Sequence, residues 1–271
     1  MAEDIVPRML ADFEEDFRKS FQTDSILKSL YAKISSGRAS QEDAQKFVIE
    51  LGRLTADVFH RNVKAEDLPD GKLYYNIANR IIPPILEQNY GITCEVMAQV
   101  IEAQNRQAGI GIRFQKPEFD EQKSHELAWV ASQAEQFADV QDMVANSLGA
   151  NARDVSNECV KKNADFGYDA GFSPKIVRDD HGGCCEWCAS LAGTYDLRNA
   201  PKDVWATHAN CTCTISYDPG RSKRRSLSVS GRRWSEESER ARGNVKETES
   251  DRTPAKLEAR KLISGIRERK R

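Results

Sequence analysis

Five of the seven cysteines and two of the four histidines fall between residues 181 and 213, in the runs HGGCCEWC (181–188) and HANCTC (208–213). This crowding constrains the fold, because it specifies which parts of the backbone must meet. Cys185-x2-Cys188 and, nineteen residues on, His208-x2-Cys211-x-Cys213 are two chelating pairs. Two-residue spacing lets both side chains of a knuckle reach one ion, and Zn²⁺ takes four N or S ligands in a tetrahedron. There are more candidates than places. Cys185, Cys188 and His208 lead, and the fourth ligand is Cys211 or Cys213. Strand alternation also allows Cys211 and Cys213 to bind together and displace His208. Cys184 is the odd one out, since adjacent cysteines rarely bind the same ion, and His181 before Gly-Gly reads as a surface residue. Disulfides or free thiols are the alternative to a metal.

The flanking segments supply a scaffold. SPKIVRDD reads as a turn and a short strand, and TISYDPG as a second strand ended by a turn. Paired antiparallel, they bring the two Cys-bearing loops together. A segment this short, with few apolar residues, needs a staple. Four Cys-rich protein ligands close the metal shell, which is the structural pattern. A catalytic zinc needs an open position and a nearby acid or base. Asp179, Asp180 and His181 are the local candidates, and otherwise the two aspartates cap the turn.

Upstream, the chain reads mostly as helix. Its composition is 30% charged and 39% hydrophobic, but the apolar residues come in periodic patches that allow a core. Phe13, Phe17 and Phe21 form one stripe. Thr23 or Asp24 restarts a helix with Ile26, Leu27, Leu30 and Ile34 on one face. Ser40, with Asp43 three residues on, resembles a capping box ahead of Phe47, Leu51, Leu54 and Val58. His60 reads as a helix C-terminal cation. Pro83 and Pro84 predict a kink or a helix-loop-helix break. The helix after Thr93 ends at Gly109, with Cys94, Met97 and Ile101 on its inner face, so Cys94 reads as a buried thiol. GIGIRFQKPEF is an extended connector. Two further helices are expected over 125–148 and 151–171, the second turning Val155, Cys159 and Phe166 inward. His125 reads as a surface residue.

Charge divides the chain. Residues 221–271 hold 17 Lys+Arg against 8 Asp+Glu, leaving 23 against 34 in the first 220. An acidic body with a basic tail points to an anionic partner for the tail. Arg221, Lys223, Arg224, Arg225, Arg232 and Arg233 are the candidate phosphate contacts. The tail composition predicts disorder over 221–252. A short helix over 254–268 follows, capped by Thr253 with Pro254 at its first position. The start is acidic without an apolar run, no stretch approaches 18 apolar residues, and no repeat, phosphate-cradling loop or dinucleotide fingerprint occurs. A reducing cytosol is the expected site of synthesis. The expected organisation is mainly α: a helical body over 1–171, a zinc-stapled, β-hairpin-like Cys/His module over 172–219, and a basic tail over 220–271.

The run CCEWCASLAGTYD, then PKDVW, then HANCTCTISYDPG and the trailing RRW resemble the C-terminal module of tailed-phage minor head proteins, the group similar to the Mu protein F head-morphogenesis proteins. The shared positions are Cys185, Cys188, Leu191, Gly193, His208, Cys211 and Cys213, and NADFGYDAGFSPKIVR resembles the lead-in to that module. The resemblance covers about residues 160–219. It implies a structural, non-enzymatic virion component made in a bacterial host's cytoplasm. That component sits in the head interior or near the portal, with major capsid or portal protein as partner, within a larger assembly and without a membrane. Packaged DNA is the natural partner for the tail. Two other functions compete: a metal-dependent nuclease or DNA-processing factor using Asp179, Asp180 and His181, and a non-catalytic zinc-dependent nucleic-acid binder.

Overall fold

Asp24 and Ser40 punctuate the first third of the chain. Asp24 accepts from the Leu27 amide at 2.8 Å and separates α1 (Val6–Thr23) from α2 (Ser25–Ser35). Ser40 and Asp43 exchange both capping-box bonds, 3.0 and 3.1 Å, at the start of α3 (Gln41–Asn62). These elements belong to a computed structural model that describes residues 4–182, 184–207 and 213–220. The chain continues through α4 (Tyr75–Gln107), α5 (Glu121–Ser132) and α6 (Gln141–Asp169) to a three-stranded antiparallel sheet. The expected disorder over 221–252 and helix over 254–268 lie outside the described residues.

The Phe13, Phe17 and Phe21 stripe is buried and stacks ring on ring, with centroids 5.9 and 5.8 Å apart. Phe47, Leu51, Leu54, Val58, Cys94, Met97 and Ile101 are buried as the periodicity predicts. Ile26 is not. It is 52% exposed, and Tyr31 takes the inward place beside Leu27, Leu30 and Ile34. His60 lies in the last turn of α3, 3.2 Å from Asp142, and the exposed His125 meets Asn79 at 2.6 Å.

Three further local readings change in the tertiary setting. Pro83 and Pro84 lie inside α4, and no loop intervenes. Their neighbours Ile81, Ile82, Ile85 and Leu86 are all buried, so packing on both sides of the prolines offsets the missing N–H bonds. The break expected near residue 149 falls instead at 133–140, where Phe137 plugs the core, and α6 runs unbroken through Gly149. Gly149 belongs in the helix because α3 and α6 cross there backbone on backbone. A Cβ on Gly52 would lie 2.3 Å from the Gly149 carbonyl oxygen, and one on Gly149 would lie 2.7 Å from that of Gly52. Beside this crossing, Thr55 donates to Asn89, and the Asn89 amide donates to the Leu148 carbonyl, joining α3, α4 and α6 through buried polar groups. Phe166 is the third. It is 44% exposed, whereas Cys159 is buried 3.9 Å from Cys94, sulfur to sulfur.

The sheet is ordered β2-β1-β3, with β1 (Lys175–Asp179) in the centre, β2 (Gly193–Asp196) on one side and β3 (Thr214–Asp218) on the other. The β1–β3 pairing follows the sequence reading. β2 was not anticipated, because GTYD is short and largely exposed. Ile176, Val204, Ile215 and Tyr217 join the core that the helices build. The outer edge of β3 is closed by side chains. Gln45 accepts from the Ile215 amide at 2.6 Å and donates to the Ile215 carbonyl. Gln41, one helical turn earlier, accepts from the Tyr217 amide at 3.0 Å and donates to its carbonyl at 2.8 Å. Two side-chain amides on α3 thus take the place of a fourth strand, satisfying groups that an edge leaves open.

Candidate metal centre

β1 ends at Asp179, and the chain turns through His181 and Gly182, both at positive φ (53° and 69°). The two aspartates hold that turn: Asp179 accepts from the His181 amide at 2.9 Å, and Asp180 from the Gly182 amide at 3.2 Å. This is the capping arrangement of Asx turns. The His181 ring meets the Thr214 hydroxyl at 2.9 Å, clasping the start of β3. The Gly182 amide, and then the Cys184 thiol, hold the Asp180 carboxyl below its ordinary range. The Cys184 thiol is pushed up, by desolvation first and then by Asp180, to which it donates at 3.4 Å.

Cys185 occupies the N-cap of a short helix, α7 (Glu186–Ser190), and is exposed. One turn of α7 carries Cys188 inward to full burial. Cys213 stands immediately before β3, whose register with β1 sets Asp179 opposite Thr214, and it packs beside Cys188. Cys188 and Cys213 form a small buried cluster, and Cys184 packs against it. Of the sequence-derived ligands, then, Cys188 and Cys213 are together and Cys185 sits at the mouth of the same helix. His208 and Cys211 lie outside the described residues, as do Arg221, Lys223, Arg224, Arg225, Arg232 and Arg233. Among the described residues no three Cys, His, Asp or Glu side chains converge on one point.

Donor chemistry is one test of whether a soft metal suits this place. Two buried sulfurs, one from α7 and one just before β3, with a third beside them, form a ligand set that thiophilic ions favour. The second test is charge. Arg178 on β1 is 1% exposed, and its guanidinium reaches the Cys188 sulfur at 3.5 Å. A cation here suits a centre made of thiolates. Sequence reasoning passed over Arg178, although a signal existed: in KIVRD it shares the inward parity of Ile176.

A cleft of about 550 Å³ lies elsewhere, between the connector after α4 and α6. Its walls include Tyr90, Phe119, Asp154, Glu158 and Lys162. Among the described residues no helix is long and apolar enough to cross a membrane. Comparison with known protein families, with characterised proteins and with solved structures finds no match for this chain.

Proposed function

We propose that the chain is a structural, non-enzymatic minor head protein of a tailed phage, acting in head assembly or in the portal-proximal interior of the virion. In this reading the Cys/His module is a zinc-stapled knob on a helical body, and capsid or portal protein is the neighbour. The Cys-x2-Cys and His-x2-Cys-x-Cys motifs support it. The observation that carries it is the buried meeting of Cys188 and Cys213, 25 residues apart in sequence, at the end of a sheet anchored to α3. Cys188 and Cys213 supply two thiolates, and two of Cys185, His208 and Cys211 complete the shell. Zinc supplies a closed tetrahedral shell that fixes the two loops. Asp179 and Asp180 are engaged in the turn, which fits a scaffold better than a nuclease site.

Elemental analysis of the purified chain is expected to give one zinc per molecule, and Cys188→Ser to lose it. Chelation loosens residues 180–215 to protease and leaves the helical circular dichroism intact. Unchanged protease resistance after chelation refutes the staple. Mass spectrometry of purified particles, full and empty of DNA, tests the head role, and absence from both overturns it. The basic tail adds sequence-independent DNA contact that weakens steeply with salt. Replacing Arg221, Lys223, Arg224, Arg225, Arg232 and Arg233 by Gln in the full chain abolishes that contact at low salt. Binding that survives the replacement removes the role of these six residues.

A further inference from the structure

Among the described residues Arg178 is the largest fully buried side chain. Strand alternation forces this: Ile176 and Arg178 point to the inner face of β1, and Val177 and Asp179 do not. Burial of a cation is costly unless it is paired, and arginine does not escape by losing its proton. Its partners are therefore informative. One terminal nitrogen donates to the carbonyls of Val204 and Ala206, both at 2.7 Å. The other donates to the Cys188 sulfur at 3.5 Å, and the Trp187 ring centroid lies 5.4 Å from the guanidinium carbon. The remaining nitrogen, Nε, is buried without a partner. Two carbonyls and a ring face offer only partial negative charge, and among the described residues no carboxylate pairs with Arg178. Within this set of contacts, Cys188 is the group able to carry a full negative charge.

We infer that Arg178 is a positioning residue of the thiolate centre: its guanidinium is the buried counter-charge of the Cys188 sulfur and ties residues 204–206 to it. The inference rests on the zinc reading above and sharpens it. An N–H donated to a metal-bound thiolate stabilises the charged ligand and fixes its direction, as partners beyond the ligand shell do in other metal sites. A buried cation against the shell favours a net anionic set, rich in cysteine, over a neutral one with two histidines. The same fork fastens the approach to the second knuckle, since Ala206 stands two residues before His208. Helix α6 holds that approach from the other side. Asn157 donates to the Trp205 carbonyl at 3.4 Å, and Asp154 accepts from the Thr207 hydroxyl at 3.1 Å. Arg178 thus links the first knuckle to the segment leading into the second.

The test compares the full chain with Arg178→Met and Arg178→Lys. Zinc affinity is read by competition with a chromophoric chelator, and sulfur-to-metal charge transfer is read in the cobalt(II)-substituted protein. Loss of the counter-charge in Arg178→Met is expected to weaken zinc by about 10–100-fold, the range typical of such partners. It also moves the cobalt band to longer wavelength, because a sulfur relieved of its hydrogen bond gives up electrons more easily. Arg178→Lys keeps the charge but loses the fork, so its affinity falls by less than about tenfold, with a smaller band shift. A wild-type chain that takes up no zinc overturns the metal reading and this inference together. A wild-type chain that binds zinc, with Arg178→Met binding equally well or showing an unmoved cobalt band, overturns the role of Arg178 alone. If Arg178→Met does not fold, Arg178→Lys decides, and a lysine variant identical to wild type in both measurements overturns the inference.

Discussion

Replacing Gln45 by Leu removes half of the side-chain strand that closes the sheet. In an antiparallel ladder alternate residues direct their backbone groups to opposite neighbours, so Ile215 and Tyr217 face away from β1. The Ile215 amide and carbonyl meet Gln45, which is 4% exposed. Leucine nearly conserves the volume, so the lost hydrogen bonds decide the outcome rather than a cavity. Each buried group left unpaired costs about 1–3 kcal/mol, and two together about 2–4 kcal/mol once water reaches the edge. At a few degrees per kcal/mol for a chain of this size, the melting temperature falls by roughly 5–10 °C. Gln41→Leu is the internal control. It strands the Tyr217 amide, but the Tyr217 carbonyl keeps a second donor, Gln104, at 3.1 Å. Its cost is therefore smaller, about 1–2 kcal/mol. Urea unfolding followed by circular dichroism measures both, and hydrogen exchange at the Ile215 amide reports the local opening. A Gln45→Leu variant within about 0.5 kcal/mol of wild type, the range of an ordinary surface change, refutes the edge-closure argument. So does a Gln41→Leu variant that costs as much as Gln45→Leu.

Three further outcomes follow from the packing and the buried titratable groups. Gly52→Ala drives a methyl into the Gly149 backbone and is expected to destabilise by about 2 kcal/mol or more, whereas Gly167→Ala, with nothing within 4 Å of its new Cβ, gains about 0.5–1 kcal/mol; equal effects in thermal melts refute the close crossing. Burial pushes the Tyr217 phenol up to about 12, so the unfolded chain loses this proton first. The corresponding stability is full below about pH 10 and disappears as pH rises toward 12, about 3 kcal/mol in all, and Tyr217→Phe flattens that part of the alkaline unfolding curve. A wild-type and a Phe curve of the same slope argue against it. Burial, and then the neighbouring Cys94, raise the Cys159 thiol well above its ordinary value, so in the folded chain stripped of metal iodoacetamide modifies the exposed Cys185 and reaches Cys94 and Cys159 only on unfolding. Equal labelling of Cys159 and Cys185 in that folded chain, read by peptide mass spectrometry, contradicts this.

The helical periodicity, the caps at Asp24 and Ser40, the buried thiols at positions 94 and 159 and the pairing of KIVRD with TISYD were all legible in the sequence. Each follows from local chemistry: an apolar stripe has one period, and a capping side chain finds its amide within three residues. The approach of the two Cys-bearing loops was legible for a related reason, since short strands flanking them leave few ways to pair, whereas the sequence left Cys211 and Cys213 as alternatives.

Tertiary structure alone decided what depends on distant partners. Gly149 reads as a helix end until Gly52 is found against it, and Pro83 and Pro84 read as a break until buried isoleucines hold the helix on both sides. Phe166 and Ile26 fit an inward stripe in projection, yet each stands at its margin, and the neighbouring elements cover other residues. Gln41 and Gln45 look like the polar face of α3, because the β3 backbone they serve lies about 170 residues further on. Arg178 is turned inward with Ile176 by strand parity, but the sequence does not name its partners. Its burial beside Cys188 depends on a sheet, a short helix and the 204–206 turn closing around it at once, and no local pattern encodes a three-body contact of that kind.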